Sequence, residues 1–216
     1  MNKVRILLVD DHAIVREGYR SLLNRQANLE LVAEAASGEQ AYALYRTQQP
    51  DLVVLDLSLP GKGGLATLIQ IRQFDPAARV LIFSMHQNPA MAMKAIEAGA
   101  RGYVTKSSEP EVLLKAVAEV MQGKIALSDD MSHALALERL GGDKGLLAEL
   151  TAREFEILRM LVEGKSKTDI AETLHISAKT VANCHYIIKR KLNVQSDIEL
   201  LRVAMQHELI NRSELQ

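Results

Sequence analysis

The chain has 216 residues, 48% hydrophobic and 25% charged, with a formal net charge of −1. That supplies one large core or two ordinary ones, and the balanced charge excludes a polyelectrolyte, so any nucleic-acid surface must be local. A single cysteine, Cys184, excludes an intramolecular disulfide, and the run Ile6-Leu7-Leu8-Val9 is halted by Asp10-Asp11 too soon for a signal peptide or membrane span. A cytoplasmic protein with no membrane partner is the expectation.

Residues 4 to 9 read as a strand, followed by Asp10-Asp11-His12 and a helix carrying Ile14, Val15, Tyr19, Leu22 and Leu23 at helical spacing. A weaker strand over 30 to 35 leads to Ser37-Gly38-Glu39, which opens a helix ending near Pro50. Leu52-Val53-Val54-Leu55 runs straight into Asp56 and is broken by Pro60-Gly61, the pattern of a strand buried on both faces. A helix through Phe74, a strand Val80-Leu81-Ile82-Phe83 ending at Ser84, and a helix over 90 to 98 closed by Gly99 come next. Gly102-Tyr103-Val104 is a short fifth strand ending at Thr105-Lys106, and the helix from Glu109 to Met121 has an apolar stripe at Leu113, Val117, Val120 and Met121. Five strands alternating with five helices predict a doubly wound, flavodoxin-like α/β domain.

An Asp after a strand is, by itself, an ordinary turn former. Here, however, the strand ends deliver Asp10, Asp11, Asp56, Ser84 and Lys106, and on a parallel sheet all project from one edge. Three carboxylates repel unless a cation lies between them, and hard oxygen ligands suit Mg²⁺. A metal and a lysine can neutralise the equatorial oxygens of a phosphoryl group while a carboxylate attacks in line. His12 and His86 flank this edge; His12 is read as an exposed helix-start residue, and His86 as a loop residue at the margin of the site. Met85, Met91 and Met93 are read as packing, and the glycines from Gly61 to Gly64 as turn chemistry, since the Gly-Lys-Ser/Thr of a nucleotide loop is lacking.

These stretches, Leu8-Val9-Asp10-Asp11-His12, Val54-Leu55-Asp56 through Pro60-Gly61, Ser84-Met85-His86, Ala98-Gly99-Ala100 and Gly102-Tyr103-Val104-Thr105-Lys106, resemble the receiver domain of two-component response regulators. The resemblance spans about residues 3 to 122. It implies that Asp56 accepts a phosphoryl group from a sensor histidine kinase. It implies that Asp11, Asp56 and the Ser58 carbonyl hold Mg²⁺, with Asp10 acting through water. Lys106 would bind the phosphoryl group, and Ser84 and Tyr103 would form a switch pair.

Strand-helix alternation is expected to stop between Gly123 and Leu150. Ser128-Asp129-Asp130 would cap a short helix carrying Met131, Leu135 and Leu140, and Gly141 to Gly145 reads as flexible. The expected limits are 3–122 for the first domain, 123–147 for the linker and 148–212 for the second. Thr151 with Glu154 is a capping box, with Leu150 and Phe155 as its hydrophobic staple. Ser166 to Asp169 opens a second helix, His175-Ile176 makes a tight turn, Ser177 caps a third helix to about Leu192, and Ser196 with Glu199 is another capping box, starting a fourth helix that reaches Glu208. Such an order predicts a helix-turn-helix. On the third helix Val181, Cys184, Ile188 and Leu192 are expected inside, and Lys179, Ala182, Asn183, Tyr186 and Arg190 outside. Between Thr173 and Ser196 there are cations (Lys179, Lys189, Arg190, Lys191) and no acid, which reads as phosphate clamping.

Leu150-Thr151-Ala152-Arg153-Glu154, Gly164 to Ala171, Ile176 to Val181 and Lys191-Leu192-Asn193-Val194 resemble the LuxR-type DNA-binding domain of the NarL/FixJ regulators. By that likeness Ala182, Asn183 and Tyr186 stand where base edges are read, and Lys179, Lys189 and Lys191 contact the backbone, with Lys167, Thr180 and Arg190 on the same side. The sequence departs from the family at Ala182, where Lys is frequent, and at Cys184, where His is. The resemblance implies double-stranded DNA, RNA polymerase and a homodimer as partners, and a regulator of transcription rather than an enzyme. Two other readings are weighed against it. An aspartyl-phosphate hydrolase would need Asp where Ser58 stands, and an adaptor working by protein contacts alone would leave the basic third helix unexplained.

Overall fold

The computed structural model describes residues 3–140, 146–207 and 209, the side chains of 138–140 excepted. The predicted elements form in order: β1 (Val4–Val9), α1 (Ala13–Asn24), β2 (Leu29–Ala35), α2 (Gly38–Gln48), β3 (Leu52–Leu55), α3 (Gly63–Phe74), β4 (Val80–Ser84), α4 (Pro89–Glu97), β5 (Gly102–Thr105) and α5 (Pro110–Met121). Then come β6 (Ala126–Leu127), α6 (Asp129–Leu140), a 3-10 turn (Leu146–Glu149), α7 (Ala152–Val162), α8 (Lys167–Leu174), α9 (Ala178–Lys191) and α10 (Asp197–Gln206). Among the described residues the chain divides into two compact units. One ends at Gln87 and resumes over Ala95–His133; the other comprises Asn88–Lys94 and the chain from Ala134 onward.

The strands form one sheet in the order β2-β1-β3-β4-β5-β6, all neighbours parallel. Period-2 alternation explains why nearly every residue in the central strands is apolar. Ile6, Leu8, Leu52, Val54, Leu81, Phe83 and Val104 share one cluster with Leu23 of α1 and with Leu113, Ala116, Val117 and Val120 of α5. Intervening residues such as Leu7, Val53 and Leu55 are equally buried. Burial of each such side chain contributes about 1.5–3 kcal/mol. Tyr19 of α1 meets Phe83 of β4 edge to face at 4.6 Å, pinning that helix over the sheet.

The predicted five-stranded sheet is corrected to six. β6 lies where alternation was expected to stop, and it pairs Ala126 with Gly102 and Leu127 with Tyr103. Gly102 makes this possible, because a Cβ there would lie 2.5 Å from the Ala126 carbonyl oxygen. The helix expected after Ser128 is present and begins at Asp129; Gly141 to Gly145 and the Leu140 side chain lie outside the described residues.

In the second unit α7, α8, α9 and α10 start where the capping signals predict. Thr151 and Ser166 each form a complete capping box, with Glu154 and Asp169, and Ser177 caps α9. The expected Ser196–Glu199 box is corrected to a single cap: Ser196 accepts from the Glu199 N–H, but the Glu199 carboxylate accepts from the Gln195 N–H at 2.7 Å instead of returning to Ser196. His175, in the left-handed region at φ 53°, ends α8 and turns the chain into α9. Phe155, Ile157, Leu158, Ile170, Val181, Ile188 and Leu200 are fully or nearly fully buried. One expected core position moves: His185 is buried on α9, whereas Cys184 is only partly so. The expected fourth helix ends earlier than Glu208, which itself lies outside the described residues.

Gly64 shows how tightly α3 packs beneath β3. A Cβ there would lie 2.0 Å from the Asp56 carbonyl oxygen and 2.5 Å from Leu57 Cα, both backbone atoms that cannot swing aside. Gly64→Ala is therefore expected to destabilise the chain by about 1–3 kcal/mol, as overpacking does. Urea denaturation of the two proteins measures it.

Candidate functional site

In an open parallel sheet the ligand crevice lies beyond the strand ends where the connections change direction. With the order 2-1-3-4-5-6, that point falls between β1 and β3. Val9 pairs with Leu55, and the Asp56 N–H donates to the Val9 carbonyl at 2.9 Å, so Asp10 and Asp56 follow side by side. Ser84 ends β4 opposite Thr105, and the Lys106 N–H donates to the Ser84 carbonyl at 2.8 Å, which carries Lys106 to the same edge.

The side chains converge as that backbone frame requires. Lys106 Nζ lies 2.5 Å from Asp10 Oδ2 and 2.6 Å from Asp56 Oδ2, and all three groups are buried. Burial acts to lower the lysine pKa, but the Asp56 and Asp10 carboxylates outweigh it and hold the ammonium above its ordinary value. Ser58 N–H donates to Asp56 Oδ1 at 3.1 Å, and Ser84 is fully buried. Tyr103 is buried as well; its hydroxyl donates to the His86 carbonyl at 2.8 Å, and burial raises its pKa. His86 Nε2 lies 3.0 Å from Ser58 Oγ, so His86 is woven into the site's rim rather than standing beside it.

Asp11 is partly exposed, and its Oδ1 is shielded, accepts no hydrogen bond, and lies 2.8 Å from His12 Nδ1. His12 is the exposed residue at the start of α1, as expected, but it also faces Asp11. One ligand atom from each of Asp10, Asp11, His12 and Asp56 falls within 4.8 Å of the others. A carboxylate oxygen with no hydrogen bond, beside two more carboxylates and faced by Lys106 and the His12 ring, is a donor set that fits a hard divalent cation.

On the second unit, Lys167 of α8 and Lys179, Thr180, Ala182, Asn183, Tyr186 and Arg190 of α9 are exposed, as predicted. Thr180 also shares the Ser177 cap, with the two hydroxyls 2.8 Å apart. Arg190 lies 5.9 Å over the Tyr186 ring. Lys189 and Lys191, by contrast, are already engaged. Lys189 Nζ is 2.8 Å from Asp197 Oδ1, and Lys191 Nζ is 2.6 Å from Glu154 Oε2. His185 Nε2 reaches that same Asp197 oxygen at 2.8 Å. Sequence reasoning missed this His185-Lys189-Asp197 group. The only signal was the spacing of His185 from Val181 and Lys189, an inward position the sequence reading assigned to Cys184.

An α/β sheet with a lysine-bridged acidic crevice, followed by a capped helix-turn-helix with a polar outer face, defines a two-domain signalling protein of the regulator class. Residues 6–118 match the family described as "Response regulator receiver domain", and residues 148–204 match "Bacterial regulatory proteins, luxR family". The chain therefore belongs to the NarL/FixJ-type response regulators, which regulate transcription. It is 33% identical to the response regulator UvrY of Escherichia coli over 98% of both chains. It is 34% identical to the oxygen regulatory protein NreC of Staphylococcus epidermidis over 96% of this chain and 99% of that one. Among solved structures, RcsB from Salmonella enterica serovar Typhimurium, bound to promoter rprA in the presence of phosphomimetic BeF3-, matches with 27% identity, 94% and 98% coverage and a TM-score of 0.76. A LuxR-family two-component response regulator from Aurantimonas is 54% identical over 64% of this chain and 99% of its own, with a TM-score of 0.63.

Glu154 has two tasks, accepting from the Thr151 N–H at 2.7 Å and from Lys191. Burial would raise its pKa, but the Lys191 ammonium and the Thr151 bonds outweigh that and hold it below the ordinary glutamate value. Its contribution to stability is thus complete above the unfolded-state pKa and is lost as pH falls through the lowered folded value. Glu154→Gln should destabilise at neutral pH, and its deficit against wild type should shrink only as pH falls below the ordinary glutamate range and through the lowered folded value. Amide exchange at Thr151–Phe155, measured across that range, reads the difference.

Proposed function

We propose that this chain accepts a phosphoryl group on Asp56 from a sensor histidine kinase, and that the modification controls dimerisation and sequence-specific DNA binding. The observation that supports the reading is the Asp10-Lys106-Asp56 bridge at the edge of the sheet. A carboxylate oxygen of Asp56 would attack the phosphorus in line, forming a P–O bond as the donor's P–N bond breaks and its electron pair returns to the imidazole nitrogen. Lys106, charged at any physiological pH, would exchange its carboxylate contact for the phosphoryl oxygens. Ser84, buried at the end of β4, would donate its hydroxyl to the same group, and the Tyr103 ring would hold the inward position behind it.

Asp10, Asp11, Asp56 and the Ser58 carbonyl are the residues that would hold Mg²⁺. When bound, it neutralises charge on the transferred group. Asp56→Asn should abolish labelling by acetyl phosphate, because the amide is neutral and a poor nucleophile. Intact-mass measurement reads the outcome, and added phosphorus mass on the variant would overturn the assignment.

The domain limits that go with this function are 3–122 for the receiver, 123–147 for the linker, within which Ala126–Leu127 form β6, and 148–212 for the DNA-binding domain. RcsB is bound to promoter DNA in one solved structure and forms dimers on DNA in another. For this chain we infer α9 as the helix that enters the major groove, with Ala182, Asn183 and Tyr186 toward base edges and Lys167, Lys179, Thr180 and Arg190 toward phosphates. A homodimer on half-sites, contact with RNA polymerase and a cytoplasmic location complete the reading. Among the described residues no helix is long and apolar enough to cross a membrane. The ion pairs at Lys189 and Lys191 rank the phosphate contacts. Lys179→Ala and Arg190→Ala should each lower the salt slope of DNA binding by about 1, and Lys189→Ala and Lys191→Ala by less. Binding isotherms across a salt series test that ranking.

A further inference from the structure

Thr105 immediately precedes Lys106 and is fully buried at the end of β5. Its Oγ1 lies 2.6 Å from Asp130 Oδ2, in the first turn of α6. A carboxylate only accepts, so the Thr105 proton goes to Asp130. The remaining lone pairs of Thr105 face Ser107 Oγ at 3.2 Å and Ser108 Oγ at 2.9 Å, on the far side of Lys106. Gln87, after β4, donates to Ser107 Oγ at 3.0 Å. Backbone contacts run in parallel, since the Ser128 N–H donates to the Tyr103 carbonyl at 3.1 Å. Hydrogen bonds from Ser128 and Thr105 outweigh burial and hold Asp130 below the ordinary aspartate value, so the anchor is anionic at neutral pH.

The residues on both sides of Lys106 thus hang on one carboxylate that belongs to α6, beyond α5 and β6 in the chain. We propose that Asp130 is a positioning residue for phosphoryl capture, acting through Thr105 to hold the Lys106 loop and thereby tying the first turn of α6 to the state of the Asp56 site. The inference rests on Asp56 being the acceptor. Any movement of Lys106 toward a phosphoryl group is resisted or transmitted by this chain of hydroxyls, and by reciprocity α6 alters how the site receives the group.

The test uses the full chain with Mg²⁺ and beryllofluoride, a phosphoryl mimic, and reads binding affinity together with amide exchange at Asp130–Ser132. In wild type, beryllofluoride should change exchange at those amides. Thr105→Val and Asp130→Ala should weaken its binding about tenfold, as loss of a hydrogen bond to a charged group does, and erase the exchange change. Thr105→Ser, which keeps the hydroxyl, should restore both. Altered exchange in the variants with wild-type affinity would mean a merely local role and would overturn the proposal. If Thr105→Val does not fold, Asp130→Ala, at an exposed residue, carries the comparison alone. Beryllofluoride that fails to bind wild type would refute the acceptor reading itself, a different result.

Discussion

One ammonium group between two buried carboxylates governs the architecture of the first unit. Lys106 can reach Asp10 and Asp56 together only because three parallel strands end level with one another. Without it, Asp10 and Asp56 would place adjacent negative charges in a poorly solvated crevice, at a cost of several kcal/mol. The apolar strands beneath supply the rigidity that the pairing needs. The same arrangement is unstable toward a better offer, since carboxylates that share a lysine are ready to share a cation or a phosphoryl group. Structural pairing and chemical readiness are here one electrostatic fact.

Much of this was legible in the residues. Buried parallel strands read as unbroken apolar runs, so Leu52 to Leu55 announced both a strand and the position of Asp56. Helix starts were legible because a capping box places its two partners three residues apart, within reach of local inspection. What escaped was decided by contacts distant in sequence. β6 has two residues and no alternation, and it exists because Gly102 leaves room for the Ala126 backbone. Lys189 and Lys191 look like any solvated cations until Asp197 and Glu154 are brought to them by the fold. His185 lost its place to Cys184 because polarity argued for the surface, whereas Asp197 supplies the partner that permits burial.

The second unit divides labour along α9. Its amino-terminal and middle turns and Arg190 present exposed groups with few obligations, while Lys189 and Lys191 of its last turns brace α10 and α7. The Lys189–Asp197 pair is partly exposed and contributes about 0–1 kcal/mol, whereas Lys191 pairs with the buried Glu154, so a phosphate can compete for either cation only by loosening a neighbouring helix start. Affinity and integrity are therefore coupled at Lys189 and Lys191 and independent on the rest of the outer face.

The sheet also has two margins, and both are poor templates for another chain. β6 offers only Ala126 and Leu127, too short a ladder to recruit a foreign strand. On the opposite margin, β2 carries Glu30 and Glu34, and Arg20 occupies Glu34 with bonds of 2.6 and 2.8 Å. A sheet this apolar in its interior thus offers a foreign strand little purchase at either edge.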